Sequence, residues 1–400
     1  MAIPRSQFPR FNSGGPFFRE LRRMTSRRIY LAASVVLPLF LLLFMTTIFG
    51  DGQMHHLPIG IVDADNSATS HSVVRNIAAV PTFDVVAHYA DDAQARSAVQ
   101  RREIYGYLSI PPRFEESVLR GAGATLSYYY HYALLAVGGE VMSAFETALI
   151  PTRLAPIVTE AVALGAAETN ITTFLLPMTA SSHALYNPSL DYSVYLALPI
   201  FYIMFQILIL LVTLYAIGSE RKDRLPHVSA SWLDAAGGNI LIAVVGKLLP
   251  YTLLFISEAL LANVVFFHWV HIPFAGNMWL MSLTTALFVV ATQMVALILY
   301  TLFPVLSLVI SVVSMVGSLG ATLSGLTFPL GAMSPLIQRV ALLFPVRHFT
   351  EAMQRLVYFD GGFGSCWPMW AALCVYPLIA VALLPRLRKT LISHPYDTLE

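Results

Sequence analysis

From Ile29 to Phe49 the chain carries no charged side chain, and at about 1.5 Å of rise per residue that run covers the roughly 30 Å hydrocarbon core of a bilayer. Uncharged or nearly uncharged stretches recur at Tyr192 to Ser219, Leu248 to Phe267, Met278 to Leu302, Pro304 to Phe328 and Trp367 to Leu384. The pattern predicts six transmembrane helices. Composition agrees: 56% of residues are hydrophobic and 12% charged, against about 45–50% apolar and about 25% charged in an average soluble domain. The excess apolar surface needs lipid, so the chain is a multi-pass membrane protein.

Charge sets the expected orientation. Arg5, Arg10, Arg19, Arg22, Arg23, Arg27 and Arg28 precede the first span, which puts residues 1–28 in the cytoplasm by the positive-inside bias. A cleaved signal peptide is disfavoured, because the apolar run is long for an h-region and no A-x-A site follows. Counting crossings, the Ser219 to Lys247 loop falls inside with Arg221, Lys222, Arg224 and Lys247, and the His268 to Asn277 loop falls outside without Lys or Arg. The tail from residue 386, with Arg386, Arg388 and Lys389, is again inside. Phe303-Pro304 is the only break between the fourth and fifth spans, and proline favours a chain reversal there.

Between residues 50 and 191 the texture becomes that of an α/β domain inserted between helices 1 and 2, and expected outside the cytoplasm. Ile59 to Val62, Phe83 to Tyr89, Ile104 to Ile110 and Ala124 to Tyr130 read as strands. Helices are expected near Ala68 to Ala79, Asp91 to Arg102 and Arg113 to Arg120, with Asp65, Asn66 and Ser67 offering an N-cap. A further helical segment, Ala133 to Ala167, is broken by Pro151 and Pro156. The fold class is thus membrane all-α: six spans over residues 29–49 and 192–385, plus this inserted α/β domain.

Catalytic signatures are missing. The chain contains no H-E-x-x-H, G-x-S-x-G or C-x-x-C. The nearest approach to a phosphate-cradling loop is Gly246-Lys247, but Leu241 holds the first glycine position and Leu248 the hydroxyl position. A net charge of +1 argues against nucleic-acid binding. His55, His56, His268 and His271 lack a third ligand for a metal site, and no metal is expected. Cys366 and Cys374, on one helix, are about 12 Å apart in rise, too far for a disulfide.

Polar groups inside the spans are the candidate functional residues. Glu258 lies mid-span, where an ionisable group costs about 2.5–3.5 kcal/mol on insertion scales, so it should face protein or water. It either contacts cargo or an ion, or fixes helix packing, with the mid-span amides Gln206 and Gln293 as candidate partners. Ser307, Ser311, Ser314, Ser318 and Thr322 recur at helical spacing beside Gly317, Gly320 and Gly325. That face reads either as a close packing or dimer seam, or as the lining of a translocation path. The stretch Leu326 to Pro335 is apolar, broken by prolines and too short to span again before Arg339. It reads as part of a re-entrant hairpin over about 326–345, the alternative being a plain external loop.

These residues resemble the permease subunits of type-2 ATP-binding cassette (ABC) exporters. The hairpin pattern is similar in Gly325, Phe328-Pro329, Met333, Pro335, Gln338 and Pro345, with Ser334 inserted between the Met and Pro that are adjacent in the family. The cytoplasmic loop pattern is similar in Gly218, Glu220, Asp223, Gly246-Lys247 and Pro250-Tyr251, with Arg224-Leu225 in place of a Gly-Thr. Ile59 to Ser67 and Ile110 to Phe114 resemble the subgroup with a large extracytoplasmic domain after helix 1.

The resemblance implies a non-catalytic permease in a bacterial inner membrane, with both termini cytoplasmic, exporting a hydrophobic or amphipathic drug-like or lipid-like cargo. It implies a second permease copy or paralogue and a dimer of ABC ATPase subunits, which hold the ATP and Mg. The chain itself needs no cofactor, and a periplasmic adaptor is a further expected contact. Coupling to the ATPase falls to the amphipathic stretch Phe17 to Arg28, with Glu20, Arg22 and Arg23, and to Glu220, Arg221, Lys222, Asp223 and Arg224. Both segments also have plain readings, as an interfacial helix with snorkelling arginines and as a topology-setting charge run. Cargo would pass Gln206, Glu258, Ser311, Ser314, Ser318 and Thr322, and leave by an outer gate of Phe328, Pro329, Met333 and Pro335.

Two other classes compete. A membrane-anchored receptor or assembly factor would use only the α/β domain for binding, but needs no buried polar residues in its spans. An ion-driven secondary transporter predicts two related halves with interrupted helices, and no such symmetry is visible.

Overall fold

The computed structural model describes residues 15–50, 52, 54–120, 125–131, 137–150, 187, 191–222 and 231–393. Two compact units divide the chain: Met1–Gly50 together with Tyr192–Glu400, and Asp51–Asp191.

In the first unit, α1 (Pro16–Ser26) precedes the long apolar helix α2 (Arg28–Ile48). Arg27 separates them with an extended backbone (φ −106°, ψ 115°), so the amphipathic segment and the span are distinct helices. Inside α2, Ala32–Val36 widens to a π-turn just before Pro38, whose ring cannot accept a regular helical turn beneath it.

The second unit carries β1 (Leu57–Asp63), α3 (Ala68–Ala78), β2 (Phe83–Tyr89), α4 (Asp92–Gln100), β3 (Gly106–Ile110), α5 (Phe114–Leu119), β4 (Ser127–Tyr130) and a helix α6 over residues 137–150. Strand order is β2-β1-β3-β4, with β1 parallel to β2 and β3, and β4 antiparallel to β3. The period-two alternation of β1 sends Ile59 and Ile61 to one face, with Val73, Ile77, Phe145 and Leu108. Val62 goes to the other face, with Ala95, Ala98 and Tyr107. Each fully buried Ile or Leu contributes about 1.5–3 kcal/mol. The sequence expectations fall within a few residues of these elements. Of the expected helix Ala133 to Ala167, only 137–150 lies among the described residues.

The chain returns to the first unit in α7, a π-turn at Ser193–Ala197 before Pro199 that continues as Leu198–Lys222. A short α8 (Ser231–Ala235) leads to α9 (Ile240–Trp269), α10 (Met278–Leu302), α11 (Leu306–Thr322), α12 (Pro335–Ala341), α13 (Pro345–Tyr358) and α14 (Phe363–Ser393). Asn239 and Asn277 cap α9 and α10, accepting from the amides of Leu241 and Ile242, and of Trp279. Among the described residues five helices, α2, α7, α9, α10 and α14, are long and apolar enough to cross a membrane. The fifth expected span departs from expectation. Its helix α11 has 17 residues, about 25 Å of rise, because the chain turns at Gly325 (φ +84°) well before Phe328. The last helix departs the other way: α14 carries Arg386, Arg388 and Lys389 within it and runs to Ser393.

Two-thirds of the apolar window of α7 is buried (67%), against 22% for α2, so α7 is the centre of the bundle and α2 its periphery. Polar side chains lock the helices together. Tyr202 donates to Asn263 at 2.5 Å, Asn263 to Thr285 at 3.1 Å, and Trp370 to Thr284 at 2.8 Å.

Candidate coupling face and translocation path

The helix α1 is seated against α9. Gly246 makes the approach possible, since a Cβ there would stand 2.5 Å from Cβ of Pro16. One turn further along α1, Glu20 is 1% exposed and accepts from Lys247 Nζ at 2.8 Å and from the Tyr251 hydroxyl at 3.1 Å. Lys247 and Tyr251 are four residues apart and share one face of α9. Arg23 donates to Ser219 Oγ at 3.1 Å and lies 5.6 Å above the Tyr30 ring, whose hydroxyl meets the same Ser219 at 2.8 Å. The helix thus grips α2, α7 and α9 at once.

This seat redistributes the residues expected on the coupling surface. Arg22 is exposed and Arg23 half-buried, but Glu20 points into the bundle and is unavailable to a partner. Physically, an ionised carboxylate this deep is tolerable only against a cation, and removing one member of such a pair costs about 3–5 kcal/mol. Glu220, Arg221 and Lys222 end the helix α7, while Asp223 and Arg224 lie outside the described residues.

Along the expected path, Gln206 is fully buried and its amide has no hydrogen-bond partner among the described residues; its Nε2 is 3.3 Å from where a Cβ on Gly320 would lie. It therefore faces α11. Glu258 is 6% exposed, and both carboxylate oxygens are without a partner among the described residues. The expected pairing of Glu258 with Gln206 or Gln293 is not formed: Gln293 accepts instead from Thr252 at 2.6 Å. Thr252 and Glu258 are six residues apart, about 9 Å along α9, out of reach of one amide.

In α11 the buried side is Val309, Val313, Gly317 and Gly320, packed toward α7. Ser311, Ser314, Ser318 and Thr322 are exposed on the other side, and each hydroxyl donates to a carbonyl of its own helix, those of Ser307, Ile310, Met315 and Ser318. A self-satisfied hydroxyl face can meet either lipid or another protein.

Past Gly325 the chain turns through a single 3-10 turn, Leu330–Ala332, into α12, whose first residue is Pro335. Phe328, Pro329 and Pro335 are exposed and Met333 is half-buried, its carbonyl receiving the Gln338 amide at 2.9 Å. The inserted Ser334 holds the N-cap position of α12 in an extended backbone. The helix after it, α13, was missed by hydropathy because Arg347, Glu351 and Arg355 interrupt it. Its other face buries Val346, Phe349, Met353 and Leu356 against α10 and α14. A 3.6-residue apolar period over Val346 to Val357 was the available signal. Among the described residues no group of three or more His, Cys, Asp or Glu is placed to hold a metal.

An amphipathic helix seated on a bundle of long apolar helices, with polar residues in its interior, defines a multi-pass membrane protein. A family model described as ABC-2 family transporter protein matches residues 28–384, and the chain belongs to that family. Members are transport components that normally work with an ATPase subunit. A comparison with curated proteins gives no match.

Proposed function

We propose that the chain is the permease protomer of an ATP-driven exporter that moves a hydrophobic or amphipathic molecule across or out of a bacterial inner membrane. In this reading α11 is a sixth, short span, and α1, the α7–α9 loop and the C-terminal end of α14 lie in the cytoplasm. The unit Asp51–Asp191 stands outside, as in the subgroup whose large domain follows helix 1. Two protomers, identical or paralogous, enclose the path, with the hydroxyl face of α11 toward the partner and the hairpin from Gly325 as the outer gate. A dimer of ABC ATPases binds ATP and Mg on the inner side.

The observation that carries this reading is the buried seat of α1, where Glu20 is tied to Lys247 and Tyr251. A push delivered to α1 from the cytoplasm reaches α9 through a buried ion pair, and through Arg23 and Ser219 it reaches α7. A receptor that uses its helices only as an anchor has no need of such a linkage. Arg22 and the charged end of α7 are the surfaces left for the ATPase. The test is reconstitution with the ATPase encoded beside it: reversing Arg221, Lys222 and Arg224 to Glu is expected to abolish cargo-stimulated ATP hydrolysis. Unchanged stimulation would remove this loop from coupling, and failure of any ATPase to co-purify would remove the exporter reading.

A further inference from the structure

A cavity of about 390 Å³ opens between the hairpin and α13. Pro329 and Leu330 form one side, and Arg347, Glu351, Gln354 and Arg355 form the other. The last four recur at i, i+4, i+7 and i+8, one stripe of α13 opposite its buried apolar face. Glu351 is shared: Arg347 Nη2 and Arg355 Nη2 each approach a different carboxylate oxygen at 2.5 Å. Arg355 spends a further donor on the Ser365 carbonyl at 2.7 Å. One carboxylate between two guanidiniums leaves the cluster with a net positive charge. Donors remain unspent as well, since Arg347 Nε is buried without a partner, and the Gln354 amide has no hydrogen bond among the described residues.

A cationic cluster with unspent donors in a cavity walled by proline and leucine is matched by an anion carried on an apolar body. We propose that this cavity binds an anionic headgroup, a phosphate or carboxylate, through Arg347, Gln354 and Arg355. The planar guanidinium suits such groups because it offers two parallel N–H donors to one oxyanion. Phe359 at the rim, 56% exposed, gives the attached apolar chain a surface to lie on. Glu351 holds the two arginines in place when the site is empty, and it opposes the anion that enters. The inference goes beyond the exporter reading and does not depend on it, because binding is measured without ATP or transport.

The experiment uses the full-length protein in nanodiscs of zwitterionic lipid containing trace spin-labelled phosphatidylglycerol. The wild-type protein is expected to immobilise the anionic label in preference to labelled phosphatidylcholine. R347Q and R355Q are each expected to weaken that preference about tenfold, the loss of roughly one charge-assisted contact. E351Q is expected to strengthen it severalfold, a gain that a misfolded variant does not produce. In a second arm inorganic phosphate is titrated against the bound label. Displacement identifies the anion alone as what is recognised, and no displacement identifies the lipid headgroup with its chains. Equal immobilisation of both labels together with no phosphate binding overturns the proposal, as does an E351Q protein indistinguishable from wild type.

Discussion

At the scale of single residues, Glu20 is buried and held by Lys247 and Tyr251. K247M should leave its buried carboxylate with only the more distant Arg19, 3.9 Å away, as a cation, and lower stability by up to about 3–5 kcal/mol. The double variant E20L/K247M removes both charges and should regain most of that loss, which thermal unfolding in detergent measures directly. A double variant no more stable than K247M would show that the pair contributes something other than charge compensation. In the α/β unit, Asp65 is held below the ordinary carboxylate range, first by the Ser67 hydroxyl and then by the backbone amides of Glu115 and Phe114. A carboxyl shifted down stabilises the fold above its unfolded pKa near 3.8, and that contribution disappears as pH falls through the lower folded value. Amide exchange at Phe114 and Glu115 should therefore accelerate below about pH 4 relative to neighbouring strand amides, and D65N should show the faster exchange already at neutral pH. Exchange that is flat across this window would mean that Asp65 does not fasten α5.

At the scale of elements, α11 presents its hydroxyls outward, and the pairing reading makes a definite demand on it. S314C, in a background with Cys366 and Cys374 replaced by alanine, should form a disulfide-linked dimer on mild oxidation, and a cysteine at the peripheral Phe40 of α2 should not. The reverse pattern would turn the bundle around. Which elements could be read from the chain follows from how locally they are encoded. The strands and helices of the α/β unit were legible because alternation and capping, such as Ser67 closing on Ser70, act within a few residues. The five long spans were legible because an uncharged run needs no partner to be recognised. By contrast, α13 was hidden, since Arg347, Glu351 and Arg355 read as solvent-facing until its opposite face is seen packed on α10 and α14. The seat of α1 was hidden for a different reason: Glu20 and Lys247 are 227 residues apart, and no local pattern reports a contact at that distance. The Gly246-Lys247 and Pro250-Tyr251 motif is visible in the sequence, but the approach of Pro16 to Gly246 is written in no local pattern.

At the scale of the whole molecule, the proposed topology can be checked by labelling whole cells with a membrane-impermeant thiol reagent. In the same cysteine-free background, a cysteine at the exposed Asp84 should react without permeabilisation, whereas one at Arg221 should react only after it. Labelling of Arg221 from outside would invert every assignment of sides made above. The tie between Glu20 and Lys247 also has a consequence for how the chain is made. Synthesis runs from the first residue, so the carboxylate exists long before its cation; at about 5–20 residues per second the delay across 227 residues is roughly 10–45 s. During that interval α1 has no interior to enter and waits at the bilayer surface on its arginines. Completion of the third span is then the event that draws the leading segment inward, so the beginning of the protein is the last part to find its place. Ribosome-bound chains halted before Lys247 should leave α1 open to protease, and chains halted beyond α9 should protect it; early protection in both would mean that the helix docks without its lysine.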